Sequence, residues 1–314
     1  MSGAVNGGRA MDVLAGPGRF YKGNIHTHST ASDAVRDPET VCGMYREAGY
    51  DFLALTDHFL PKFGFPITDT RQFRTNGFTT ILGAEVHAPR TELGEIWHIL
   101  SVGLPLDFAP TPPEETGPAL AARCAAAGAF VAIAHPEWYG LTVADAESIA
   151  VAHAVEVYNH TSAVKVARGD GAQLLDALLA RGHRLLACAT DDAHFQVQDW
   201  FGGWVMVRAE SLEPEALVEA LKAGAFYSTQ GPEIHGISVQ GEEIAVECSA
   251  ARDIMVVGRA SAGIAVHGTA MRSARLPLEK FRAGGHFRVV VTDEAGRRAW
   301  SNPVWLDAIG EARP

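Results

Sequence analysis

The sequence predicts an α/β fold followed by a small antiparallel β domain. Short apolar runs alternate with amphipathic segments up to about residue 230, the pattern of strands and helices that builds a parallel sheet or barrel. After Gly231-Pro232 helical periodicity nearly disappears and short alternating runs take over, as in a β-sandwich of immunoglobulin-like type. His and acidic residues recur where the apolar runs of the first part end. In an α/β barrel those strand ends meet on one face, where active sites are built.

Residues 1–19 carry no apolar core of a secretory signal and read as a flexible leader. The first strand is expected over Tyr21 to His26. A helix follows from Pro38 to about Ala48, with Asp37 as its N-cap, Pro38 at the first helical position and Gly49 ending it. Further buried strands are expected at Asp51 to Thr56, Thr80 to Val86, Trp97 to Val102, Phe130 to Ala134, Ala154 to Tyr158 and Leu185 to Ala189. Helical segments fall near residues 114–127, 144–150, 173–180 and 213–222, with strands at Gly203 to Val207 and Phe226 to Ser228. Beyond Pro232 the expected strands are Ile234 to Val239, Ile244 to Cys248, Ile254 to Val257, Gly263 to Val266, His286 to Val291 and Ala299 to Trp305. The domains are therefore expected as 20–231 and 232–314.

The chain has 314 residues, 26 Lys+Arg and 37 Asp+Glu, a formal charge of -11. This balance argues against a nucleic-acid polymer as partner, because phosphate backbones are met by basic faces. No run of 18 apolar residues predicts a membrane span. Cys42, Cys124, Cys188 and Cys248 are scattered without a C-x-x-C pair, so reduced thiols and a cytoplasmic setting are expected. No nucleophile elbow, phosphate loop or H-E-x-x-H helix is present, and Ser162-Ala163-Val164-Lys165 matches S-x-x-K without its companion motifs.

Thirteen His is a high count, and their placement carries the chemistry. His26 and His28 lie at i and i+2 on an extended segment, so their imidazoles face one side. Asp33 follows in the next turn. The second strand ends in Thr56-Asp57-His58 and the third in Glu85-Val86-His87. His98 opens another apolar run, His135 closes the next, and Asp191-Asp192-Ala193-His194 follows the last. Imidazole and carboxylate together suit Zn, Mn or Fe. Asp57 is expected behind the ligands, orienting an imidazole. Arg168 and Lys165 are candidates for holding an acidic group of a substrate, with solvated surface charge as the alternative.

His26-Thr27-His28-Ser29, Ser32-Asp33, Leu55-Thr56-Asp57-His58, Glu85, His98-Ile99-Leu100, Ala134-His135-Pro136 and Asp192-Ala193-His194 resemble the motifs of the PHP (polymerase and histidinol phosphatase) family over about residues 20–230. Phe226-Tyr227-Ser228-Thr229-Gln230-Gly231-Pro232 and the C-terminal β domain look like the carbaryl-hydrolase-like subset. The resemblance implies a distorted TIM-like (β/α)7 barrel and a site of two or three divalent ions. It implies one ion held by His26, His28, Glu85 and Asp192. A second would share Glu85 and add His98 and His135, with His87 close to His98. A third would use Asp33, His58 and His194. In this pattern Asp192 or His194 relays a proton, and Asp191 is the neighbouring alternative to Asp192.

The expected activity is metal-dependent hydrolysis of a small phosphoester by a metal-bridging hydroxide. Divalent ions outweigh the clustered carboxylates, so the pocket is positive within an acidic chain. A carbamate, aryl ester or amide hydrolase using the same site is the first alternative, and a non-catalytic binding module on a degenerate barrel is the second.

Overall fold

In the computed structural model the structure describes residues 11–310. The expected leader lies partly outside them. Within them, Met11–Asp12 is a short strand paired antiparallel with Ile234–Gln240 (Met11 opposite Val239), and the next strand begins at Arg19. The chain divides into two compact units: Pro17–Gln230, and Gly231 onward together with the residues before Pro17.

The first unit is α/β with a mixed sheet. Arg19–Asn24 runs parallel to Phe52–Leu55, which runs parallel to Thr79–Val86. The short strand His58–Phe59 continues alongside, with His58 opposite Glu85. Ile99–Val102 is antiparallel to both neighbours, Thr79–Val86 and Phe130–Ile133. Ala154–Asn159 and Leu186–Thr190 then add in parallel. On the other edge of Arg19–Asn24, Trp204–Ala209 and then Phe226–Thr229 add antiparallel.

The all-parallel expectation is thus corrected at two strands, Ile99–Val102 and Trp204–Ala209, which run against the rest. Parallel neighbours need a long crossover, usually a helix. Between Val86 and Ile99 there is only the loop of residues 87–98, so the chain turns back antiparallel. The strands themselves are buried throughout, as at Phe52–Leu55, Phe130–Ile133 and Leu186–Thr190, which is why they read as continuous apolar runs.

The first helix, Pro38–Glu47, shows how local sequence sets an element. The Asp37 carboxylate accepts a hydrogen bond from the Thr40 amide at 2.9 Å, and Pro38 fills the first turn. Gly49 follows at φ +77°, a conformation glycine adopts without penalty. The helix buries Val41, Cys42 and Tyr45 against Leu53, Leu55 and Phe78. At Gly23 a Cβ would fall 2.1 Å from the Phe52 ring, so only glycine lets these two strands close.

Two strand extensions meet where the chemistry is expected. Thr27 and Ala193 form a parallel bridge. The His28 amide donates to the Ala193 carbonyl at 3.1 Å, and the Asp192 amide to the His26 carbonyl at 2.8 Å. These bonds bring the first and last ligand-bearing segments side by side.

In the second unit the strands are antiparallel. Glu243–Gly258 is one strand of 16 residues, where two were expected. Its register shifts between Glu247 and Ala251, so an irregularity of one continuous strand stands where two separate strands were expected. Its first half pairs with Ile234–Gln240 and its second with His286–Thr292, while Gly263–Pro277 follows both halves.

Candidate metal centre

His26 and His28 are fully buried on the extension of the first strand, with ring centroids 5.2 Å apart. The Nε2 atoms of His26 and His28 lie 3.3 and 2.9 Å from Asp192 Oδ1, and 3.7 and 3.6 Å from Glu85 Oε2. Glu85 takes His98 Nδ1 at 2.6 Å and His135 Nε2 at 3.0 Å on its other oxygen. His58 places Nδ1 2.6 Å from Glu85 Oε2 and Nε2 3.5 Å from Asp33 Oδ1. His194 Nε2 is 3.4 Å from the same Asp33 oxygen. All nine residues named as ligands therefore converge. Asp33 is the exposed member, its side chain 41% accessible.

Burial alone would raise the buried carboxylates. For Glu85 the imidazoles of His58 and His98, then His135 and His26, outweigh it and hold the carboxyl well below its usual range. Asp192 is held low in the same way by His26, His28 and His194. Asp191 behaves oppositely: burial pushes it up to about 6, against hydrogen bonds from Tyr45 and the amides of residues 201–203. Its oxygens accept from Tyr45 Oη at 2.6 Å, Asn24 Nδ2 at 2.8 Å and the Gly203 amide at 2.9 Å. Asp192 faces the His cluster, whereas Asp191 ties the strand ends to the loop after it.

The backbone is bent to achieve this. Asp192 has φ +56° and His135 has φ +22°. Neither is glycine, and such conformations cost of order 1–3 kcal/mol each. The Asp192 carbonyl is held by Thr161 Oγ1 at 2.7 Å, and the His135 amide by Glu156 Oε2 at 2.7 Å.

Sequence reasoning missed one residue and placed another only in part. Glu156 is 1% exposed; its Oε1 meets His26 Nδ1 at 2.7 Å and accepts from Thr190 Oγ1 at 2.7 Å. A glutamate inside the apolar run Ala154–Asn159 was the available signal. His87 was read at the end of its strand and beside His98, but not among the ligands. Its Nδ1 pairs with the Trp97 carbonyl at 2.9 Å, and its Nε2 lies 3.0 Å from His58 Nδ1. The expectation for Asp57 is corrected. It bonds no imidazole; it accepts from the Ser29 amide at 2.7 Å and from the Ser32 and Thr68 hydroxyls at 2.8 Å. Three of its donors, the Ser29 amide and hydroxyl and the Ser32 hydroxyl, lie in the turn after His28, so it shapes the turn that carries Asp33. Arg168 is exposed and donates to the Trp138 carbonyl at 3.3 Å, and Lys165 is exposed near the end of the helix His160–Val166.

The donor set fits divalent metal. His26 Nε2 is buried and makes no hydrogen bond although two carboxylates flank it, while Glu156 takes up its Nδ1. That leaves a lone pair aimed between Glu85 and Asp192, the usual state of a metal-binding imidazole. Four overlapping groups of donors each lie within 4.8 Å: His28, Asp33, His58 and His194; His58, Glu85, His87 and His98; His26, His28 and Asp192; and His26, Glu85 and His135.

Fold and site together define an α/β protein with a mixed sheet and a His/Glu/Asp cluster suited to divalent metal. Among solved structures the chain is similar to a two-domain protein from Bacteroides vulgatus containing a predicted PHP-like metal-dependent phosphoesterase. The TM-score is 0.53 at 16% identity, covering 93% of this chain and 96% of that one. At this identity the likeness establishes the fold. A protein from Bifidobacterium adolescentis, named as a candidate metal-dependent phosphoesterase, matches at TM-score 0.41 and 16% identity over 55% of this chain and 87% of that one. An amidohydrolase from Chromobacterium violaceum, with bound sulfate and no metal, matches at 0.44 and 15% over 65% and 96%. No family model matches the chain, and no curated protein matches it. No described helix is long and apolar enough to cross a membrane.

Proposed function

We propose that the chain is a metal-dependent phosphoesterase acting on a small molecule through a centre of two or three divalent ions. The observation that carries this reading is the sharing of residues between the donor groups, with His26, His28, His58 and Glu85 each belonging to two. Shared ligands are what a multi-ion site requires, and Zn, Mn or Fe suits the donors. The ions would be held by His26, His28, Glu85 and Asp192, by Glu85, His98 and His135, and by Asp33, His58 and His194. When bound, they supply Lewis acidity and a lowered pKa for water.

The chain's own residues do the rest. Glu85 and Asp192 stay ionised in a buried setting because imidazoles surround them. Asn159 Nδ2 donates to Asp192 Oδ2 at 3.1 Å and fixes that carboxylate. Asp192 and His194 handle the proton, with His194 on the open side beside exposed Asp33. Arg168 anchors an acidic group of the substrate.

The finer architecture belongs to the same proposal: a distorted seven-stranded barrel over residues 20–231 and a sandwich-like β domain over 232–314. The Thr27–Ala193 bridge supports the first. The bulged strand Glu243–Gly258, whose halves take different partners, supports the second.

The test is turnover of p-nitrophenyl phosphate, bis(p-nitrophenyl) phosphate and p-nitrophenyl acetate by protein reconstituted with Mn or Zn. Phosphate turnover lost in Asp192→Asn is expected. Activity on the acetate alone would transfer the reading to carbonyl chemistry, and failure to bind metal would overturn it.

A further inference from the structure

A cavity of about 650 Å³ opens beside the centre, between the segment following His58, residues 87–96 and the run Pro110–Pro113. His87 belongs both to its wall and to the donor group of His58, Glu85 and His98, so cavity and centre meet at one residue. Phe59, Phe65, Ile96 and Pro110 contribute to the wall, and no Lys, Arg, Asp or Glu lines it. Apart from His87, the polar lining residue is Thr111. Its hydroxyl is buried and has no hydrogen-bond partner among the described residues.

The size is that of a small-molecule pocket, and such pockets pair apolar walls with a few placed polar groups. Ile96 at the rim is 42% exposed, as is Trp138. The Trp138 ring stands edge-on to His98 at 5.4 Å and to His135 at 5.2 Å, and the Phe63 ring lies parallel to His58 at 6.4 Å. Aromatic rings therefore flank His58, His98 and His135. A wall without charge leaves a sugar or nucleotide undersolvated, whereas an apolar group gains in proportion to the area it buries.

We infer that the substrate carries a bulky, uncharged apolar group, aromatic or branched alkyl, that lodges in this cavity while its scissile group meets the centre. The inference rests on the hydrolase reading above and adds the substrate class.

The test compares kcat/KM of the metal-loaded full chain for 4-phenylphenyl phosphate and glycerol 1-phosphate. Binding of 4-phenylphenol to the same protein is followed separately by calorimetry. The aryl ester is expected to be preferred at least tenfold. Ile96→Glu, at an exposed position that does not threaten folding, is expected to lower that ratio and weaken 4-phenylphenol binding about tenfold. Equal handling of the two esters with no binding of 4-phenylphenol overturns the inference, and so does binding that Ile96→Glu leaves unaltered. Ile96-dependent binding of 4-phenylphenol without cleavage of either ester upholds the cavity and overturns the phosphoester reading instead.

Discussion

Glu156 Oε1 stands 2.7 Å from His26 Nδ1, and both residues are buried. The same glutamate accepts from the His135 amide, Asn159 Nδ2 and the Thr190 hydroxyl. One carboxylate thus sets the tautomer of one candidate ligand and the backbone of another. Glu156→Gln keeps the volume but removes the charge. It is expected to weaken metal binding by roughly 10–100-fold, the usual cost of losing a partner behind a ligand. Chelator competition on protein with an unchanged circular dichroism spectrum measures it. Unaltered affinity would reduce Glu156 to packing.

The two adjacent aspartates are expected to fail differently. Asp192→Asn removes a charge from among His26, His28 and His194, so turnover and metal content should fall with little change in denaturation midpoint. Asp191→Asn instead disturbs buried bonds to Tyr45, Asn24 and the amides of Phe201, Gly202 and Gly203. Bonds to a buried charge are worth about 1.5–3 kcal/mol each, so a loss of about 3 kcal/mol is expected in urea unfolding. Equal stability of the two variants would contradict this division.

The four thiols are buried and unpaired in disulfides. Burial pushes Cys42 up to about 12 and Cys124 and Cys248 up to about 11, and raises Cys188 well above its ordinary value. Since the thiolate is the reacting form, the folded protein is expected to resist iodoacetamide at pH 8. Alkylation should reach all four on denaturation. Rapid labelling of native protein, read by mass spectrometry, would refute it.

His153 accepts a hydrogen bond from the Val131 amide at 3.1 Å on Nδ1. Desolvation first, and the nearby Lys222 second, lower its pKa below the ordinary 6.5. Protons therefore bind more readily to the unfolded chain. The stability that His153 contributes is present above about pH 6.5 and falls as pH drops from there through the lowered folded value. His153→Gln should flatten the fall in melting temperature between pH 6.5 and 5. A variant with the wild-type slope would assign that fall to other groups.

Much of the site was legible because its ligands sit where apolar runs stop, and a strand's end is a sharp boundary in sequence. The capped helix at Asp37-Pro38 was legible for a similar local reason. What escaped was non-local. The reversal of Ile99–Val102 depends on which strands it joins, not on its own residues. Glu156 passed unremarked inside the strand Ala154 to Tyr158 because its partners, His26 and Thr190, lie far away in the chain. Asp57 sat beside a ligand, yet its bonds go to Ser29, Ser32 and Thr68. The gap between the apolar runs ending at Cys248 and starting at Ile254 is a register shift within one strand, which the apolar pattern alone does not distinguish from a strand end.

The reversed strand has one more consequence. Because Ile99–Val102 runs against its neighbours, His98 precedes its strand and still reaches the face where His58 and His135 follow theirs. Both ends of the 87–98 loop are thereby moored at the centre, by Glu85 and His87 on one side and by His98 on the other. The span between them is tied back to the same place, since Trp97 is buried and its carbonyl meets His87 Nδ1. It also carries Ile96 and part of the cavity wall, so a change in this one loop would alter what the cavity admits and, through His87 and His98, the candidate centre as well.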